Sequence, residues 1–184
     1  MSKVALTYRD YAALADDGRR YEIHDGDLSV TPSPSPVHQS VALRLGSCLL
    51  EHVERHRLGH VYMAPLDVIL SDSTVVQPDV IYVGTERSSR IGERGIQGSP
   101  TLVIEILSPS TLSIDRVRKR DLYAGHGVPY YWIVDPEAQA VKAYVLEAGG
   151  YRLALRATGT EPVSPPPFEG LALVPAALFV SPAS

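Results

Sequence analysis

Apolar positions recur along the chain with two periods, and the switches between them outline the predicted elements. Thr7 precedes Tyr8, Tyr11 and Leu14 or Ala15 at three-to-four spacing and Gly18 closes the run, which predicts a short amphipathic helix over 7–17. Tyr21-Glu22-Ile23 and Leu28-Ser29-Val30 flank Asp25-Gly26, a dipeptide suited to a tight hairpin turn. The proline-serine stretch 31–36 reads as loop. From Val37 or His38 to Leu58-Gly59, the positions Val41, Leu45, Cys48 or Leu49, and Val53 mark one face of the longest amphipathic helix.

Beyond that helix the period becomes that of strands. Runs at 60–70, 74–83 and 101–107 predict the heart of a sheet, with 84–100 a polar, glycine-bearing loop. The third run is apolar almost throughout, as in a strand buried on both faces, yet it contains Glu105. A polar helix from Thr111 or Leu112 to Ala124, stopped by Gly125 and Gly127, leads into a strand at 130–134, so strand, helix and strand form a crossover unit. Segments 140–146 and 151–156 flank Gly149-Gly150 as a second hairpin. The proline-rich tail, 162–184, has only short apolar pieces, and no internal repeat is present.

Composition narrows the class. With 184 residues, 45% apolar and 21% charged, the chain reads as one domain over 1–184. A domain of this length buries about 70% of the surface its unfolded chain exposes, without needing disulfides. The lone Cys48 has no intrachain partner, which fits a reducing compartment, and it sits on the apolar helix face as a core residue. No stretch nears the roughly 18 apolar residues of a membrane span and the start lacks a signal-peptide apolar core, so a cytoplasmic protein is expected. A net charge of −4 argues against coating nucleic acid through bulk charge and leaves local basic patches to do any such work.

Two carboxylates stand where carboxylates are expensive. Pro78-Asp79 and Glu105 lie within or at the end of strand runs, and together they would suit a hard cation such as Mg²⁺, which takes one or two carboxylates plus waters and substrate phosphate. Spacing alone equally allows Asp79 to close a turn and Glu105 to pair with an arginine. On the following helix Asp115, Lys119 and Tyr123 fall four apart on one stripe, from which Lys119 could face the strand ends and stabilise charge on a phosphate. An ordinary i,i+4 pair between Asp115 and Lys119 explains the same spacing. Arg116, Arg118 and Arg120 around it would suit phosphate contacts or a solvated face.

These residues stand in a recognisable order. Tyr21-Glu22-Ile23-His24-Asp25-Gly26-Asp27-Leu28 is followed by Pro36-Val37-His38-Gln39, Ala64-Pro65-Leu66-Asp67-Val68 and Val76-Gln77-Pro78-Asp79-Val80. Then come Val103-Ile104-Glu105-Ile106-Leu107-Ser108-Pro109-Ser110-Thr111, Asp115, Lys119, Tyr123, Gly127-Val128 and Tyr131-Trp132-Ile133-Val134-Asp135-Pro136. Over nearly its whole length the chain resembles the Uma-type restriction endonuclease family of the PD-(D/E)XK nuclease superfamily. The resemblance implies an α/β (α+β) fold with a restriction-endonuclease-like core, a central mixed sheet flanked by helices, and an N-terminal β-hairpin. It implies Asp79 and Glu105 as ligands of Mg²⁺ or Mn²⁺ and hydrolysis of phosphodiester bonds in nucleic acid, DNA favoured over RNA.

The chain departs from the superfamily pattern at Leu107, where the motif has lysine; the resemblance implies that the basic group comes instead from the next helix, as Lys119. The superfamily also has an acidic residue on or near its first core helix, for which Glu22, Glu51 and Glu54 qualify. Glu22 is preferred because it lies in the Tyr-Glu-Ile segment, although a hairpin glutamate could equally be an exposed partner of Arg19 or Arg20. Arg116, Arg118 and His38 are the expected substrate contacts; His38 could instead be a helix cap, and Gln77 could merely satisfy strand-end backbone.

Other chemistries fit less well. His52, His56 and His60 are four apart, but the residue after His52 is Val53 where a zincin needs glutamate. Neither a Gly-x-Ser-x-Gly elbow nor a phosphate-binding glycine loop occurs. Tyr130, Tyr131 and Trp132 read as sheet packing. The expectation is thus a nuclease, with a homodimer suiting cleavage of two strands. The alternative is a nuclease fold kept as a catalytically inactive binding or assembly module, for which the displaced lysine and the acidic charge speak.

Overall fold

A computed structural model describes residues 5–14, 17–108 and 113–180, with the side chains of residues 113–116 outside the described set. The short helix α1 (Tyr8–Ala12) carries a capping box, Thr7 with Asp10. A hairpin of β1 (Arg20–His24) and β2 (Asp27–Thr31) follows, turning at Asp25 and Gly26 with φ of +52° and +84°, as a two-residue primed turn requires. Ser35 then caps the long helix α2 (Pro36–His56) by accepting the His38 N–H, with Pro36 in the first turn where its missing donor costs nothing.

The remaining strands divide between two six-stranded mixed sheets. The first runs β2-β1-β5-β4-β8-β7, adding β4 (Val68–Ser71), β5 (Thr74–Val76), β7 (Ile91–Gly92) and β8 (Gly95–Gln97) to the hairpin. The second runs β12-β11-β10-β9-β6-β3, formed by β3 (Gly59–Met63), β6 (Val80–Gly84), β9 (Leu102–Ile106), β10 (Tyr130–Asp135), β11 (Ala140–Glu147) and β12 (Gly150–Thr158). β9 and β10 are parallel and are joined through α3 (Ser113–Gly125), the crossover that the sequence predicts.

Strand alternation sends the second sheet's side chains into two cores. Val80, Tyr82, Leu102, Ile104, Trp132 and Val134 pack against Val41, Leu45, Leu49 and Val53 of α2. On the opposite face Ile81, Val83, Val103, Tyr131 and Ile133 pack against Val68, Val76 and Ile96 of the first sheet and Leu122, Tyr123 and Val128 on and after α3. Glu105 shares the parity of Val103, and Asp79, one residue ahead of β6, shares that of Ile81. Both carboxylates therefore belong to the face that meets the first sheet and α3.

Several boundaries differ from the sequence expectation, for reasons that can be named. The run 60–70 is two strands in different sheets, parted at Ala64-Pro65; the run 74–83 is likewise parted at Gln77-Pro78-Asp79. Proline cannot donate to a strand ladder, so each run leaves its sheet where Pro65 or Pro78 stands. The two crossings lie side by side, with the Ala64 N–H donating to Asp79 O at 3.1 Å. The stretch 84–100, expected as loop, holds a 3-10 turn (Thr85–Arg90) and the β7–β8 hairpin that closes the first sheet. In the tail, Phe168, Leu171, Leu173 and Leu178, the last on α4 (Pro175–Leu178), are buried against the α2 face of the second sheet, far more than short apolar pieces suggested. The first helix, expected over 7–17, already ends at Ala12 with Ala13 as its cap, and the expected start of α3 at residue 111 or 112 lies outside the described residues.

Candidate active site

Where the two sheets part company, four elements bring acidic and basic side chains together. Glu22 and His24 project from the same face of β1, and both are buried, Glu22 to 2% exposure. Glu22 Oε2 meets His24 Nε2 at 2.8 Å, and its Oε1 accepts the Gln77 N–H at 2.8 Å. Asp79 Oδ2 accepts from the Ile106 N–H at 2.8 Å and from His38 Nε2 at 3.1 Å, which fixes that carboxylate between β9 and the first turn of α2. Lys119 reaches from α3 to lie 3.2 Å from both Glu22 and Glu105, and one turn later Tyr123 donates its hydroxyl to the same Glu105 Oε1 at 2.5 Å.

The charges shift one another strongly. Burial alone would discharge Lys119, but Glu105, Glu22 and Asp79 around it hold its ammonium firmly protonated. Burial would likewise raise Glu22, but Lys119, the His24 contact and the Gln77 N–H outweigh it and bring the carboxyl down to about 2. Glu105 goes the other way, pushed up to about 7 by burial and by the charges of Asp79 and Glu22, against the opposing pull of Lys119 and Tyr123. For His38, burial lowers the pKa, yet the Asp79 hydrogen bond and charge prevail and keep the imidazole above its usual value.

These groups line a cavity of about 80 Å³ shared by Arg20, Glu22, His38, Asp79, Glu105 and Lys119 and walled by residues 29–34. Within it, Asp79 uses only Oδ2 and Glu105 only Oε1 in hydrogen bonds among the described residues. Oδ1 and Oε2 are left as hard oxygen donors. No three or more His, Cys, Asp or Glu side chains form a ready-made metal cage among the described residues. Two carboxylates with unused oxygens, beside a cavity for water and phosphate, fit Mg²⁺ or Mn²⁺ better than an all-protein site would.

Comparison with known proteins bears on what this arrangement serves. Residues 8–177 match a family model described as "Uma2: Putative restriction endonuclease". The chain belongs to the Uma2 family. Among solved structures it is similar to the crystal structure of "a putative nuclease belonging to DUF820" from Anabaena variabilis ATCC 29413, at TM-score 0.73 and 21% identity, covering 95% of this chain and 97% of that one. At that identity the likeness shows a shared fold, and the mixed α+β architecture expected from sequence is the one found. None of the curated proteins matches the chain.

In this Uma2 member the fold brings Glu22, Asp79, Glu105, Lys119 and His38 to one cavity, while Glu51 stays exposed on α2, paired with Arg55. Arg118 does not line the cavity: its Nη2 donates to His24 O at 3.0 Å and lies 3.3 Å from Asp27, on the hairpin. The Arg116 and Asp115 side chains fall outside the described residues. The His52 and His56 rings lie 4.4 Å apart, tilted by 39°, with His52 edge-on to Phe168. Three residues that touch this cluster or line the cavity were given no role from the sequence: His24, Tyr123 and Arg20. A period of two from Glu22 marks His24 and Arg20, and a period of four from Lys119 marks Tyr123.

Proposed function

We propose that this Uma2 family member is a metal-dependent endonuclease that hydrolyses phosphodiester bonds in nucleic acid, with DNA as the preferred substrate. The observation that carries the reading is the pair of unused carboxylate oxygens on Asp79 and Glu105, in one cavity with a buried, fully protonated Lys119. Asp79 and Glu105, helped by Glu22, would hold Mg²⁺ or Mn²⁺. Such a cation, when bound, acidifies a water nucleophile and polarises phosphoryl oxygens.

The chain's own groups do the rest. His38 and the Ile106 N–H orient Asp79, and Tyr123 orients Glu105. Glu22 keeps Lys119 within the cavity, where its charge opposes the negative charge that builds on the phosphate during displacement. Water adds its oxygen to phosphorus, the bond to the leaving oxygen breaks, and that oxygen takes up a proton. The side chain that the motif places two residues after the glutamate is here delivered from α3, since Leu107 packs with the core while Lys119 reaches Glu105.

The test is cleavage of plasmid, single-stranded DNA and RNA with Mg²⁺ or Mn²⁺ by wild type, Asp79→Asn and Glu105→Gln purified alike. Metal-dependent cleavage by wild type, lost in both variants and fastest on DNA, is expected. Cleavage that survives in Asp79→Asn would overturn the assignment, and inactivity of wild type on every substrate would leave a nuclease fold used for binding.

A further inference from the structure

A nuclease must hold its substrate's phosphates as well as break one, and the cavity contains a cation suited to that task. Among the described residues, two permanently cationic side chains line it, Arg20 and Lys119. Lys119 is committed to two carboxylates at 3.2 Å. Arg20 pairs with none among the described residues; its Nε donates to Gln77 Oε1 at 3.1 Å and its Nη2 to Gln77 O at 3.2 Å, both neutral acceptors. Glu22, two residues along the same face of β1, is instead satisfied by His24, Gln77 and Lys119.

Arg20 is also held in place. The Gln77 side chain that receives it donates from Nε2 to Asp67 Oδ1 at 2.8 Å and to Tyr11 Oη at 3.3 Å, so its oxygen cannot turn away without losing these bonds. Of the five N–H donors of a guanidinium, Nη1 keeps both of its own and Nη2 one without a partner among the described residues. A guanidinium that is preorganised, uncompensated and provided with spare parallel donors matches the oxygens of a phosphate.

We propose that Arg20 anchors a substrate phosphate next to the scissile one, with Gln77 as the residue that positions it. The inference rests on the nuclease reading for the identity of the ligand, and its test reads binding and not turnover. Fluorescein-labelled 20-nucleotide DNA, single-stranded and duplex, is titrated by anisotropy in Ca²⁺ with wild type, Arg20→Gln and Gln77→Glu. The same titrations are repeated on oligonucleotides carrying one neutral methylphosphonate at successive positions.

Arg20→Gln is expected to weaken binding at least tenfold, and Gln77→Glu to weaken it similarly by giving Arg20 a carboxylate partner. At one methylphosphonate position wild type loses affinity while Arg20→Gln loses nothing further, a coupling that a merely structural arginine would not produce. Unchanged binding by Arg20→Gln, a methylphosphonate penalty equal in both proteins, or no binding of either DNA by wild type would overturn the anchor. Cleavage by wild type beside any of these results would leave the nuclease reading standing, whereas coupling without any cleavage would retain the anchor and remove the nuclease.

Discussion

At the scale of residues, the site is a negotiation among three carboxylates, one lysine and two histidines, and Lys119 decides its balance. Lys119→Met leaves Glu22 and Glu105 buried without their shared cation. Losing one preorganised charge of this kind costs about 10²–10³ in kcat, so single-turnover cleavage should fall by that order while the variant still binds DNA. The raised carboxyl of Glu105 sets a pH dependence of known sign. Its folded pKa of about 7 exceeds the ordinary 4.5, so in metal-free protein its stabilising contribution is present below about 4.5 and is lost as pH rises towards 7. His38, also raised, acts in the same direction, while the depressed Glu22 contributes at every pH above its ordinary value and is lost only in acid.

The metal-free melting temperature should therefore fall by several degrees between pH 5 and 8, and Glu105→Gln should flatten the slope. A cation at Asp79 and Glu105 must displace the Glu105 proton, so Mg²⁺ affinity should climb with pH up to about 7 and then level. Calorimetry in buffers of different ionisation enthalpy should register the released proton in wild type and none in Glu105→Gln. The stripe that puts Tyr123 beside Lys119 was legible along the chain from its period of four, whereas His24, on the same strand face as Glu22, was not singled out. The Arg20–Gln77 contact was not legible, since it joins residues 57 apart through a strand pairing that no local pattern reveals.

Among elements, α2 shows how a helix end serves chemistry. Ser35 Oγ accepts the His38 N–H at 3.2 Å, so the cap that starts the helix also sets the residue that grips Asp79. Ser35→Ala should cost about 1 kcal/mol in urea unfolding, and a larger drop in kcat than in stability would show that the cap positions His38. The helix was readable from its apolar face, but its cap Ser35 and first residue Pro36 fall within the proline-serine stretch that reads as loop. The sheets were less readable: strand-type residues continue through 60–70 and 74–83 because each run gives one strand to each sheet. Only Pro65 and Pro78 signal the break. Asp79 owes its place to that break, standing where the chain has left the first sheet and not yet entered the second.

On the scale of the molecule, the second sheet separates chemistry from support. The cavity opens on the face shared with the first sheet and α3, and the other face is sealed by α2 and by a tail whose proline content disguised its part in the core. Phe168, 1% exposed, sits 4.8 Å from the Tyr82 ring and 5.8 Å from Trp132, while the Trp132 Nε1–H donates to Pro166 O at 2.7 Å. Phe168→Ala should cost about 3–5 kcal/mol, a large part of the roughly 5–15 kcal/mol that a folded domain possesses. Because the sheet stands between Phe168 and the carboxylates, the molecules that remain folded should bind DNA and Mg²⁺ as wild type does. Urea unfolding paired with both binding titrations at low temperature tests this division. Equal loss of stability and of affinity per folded molecule would show that the tail reaches the site through the sheet, and an unchanged midpoint would show that it does not belong to the core.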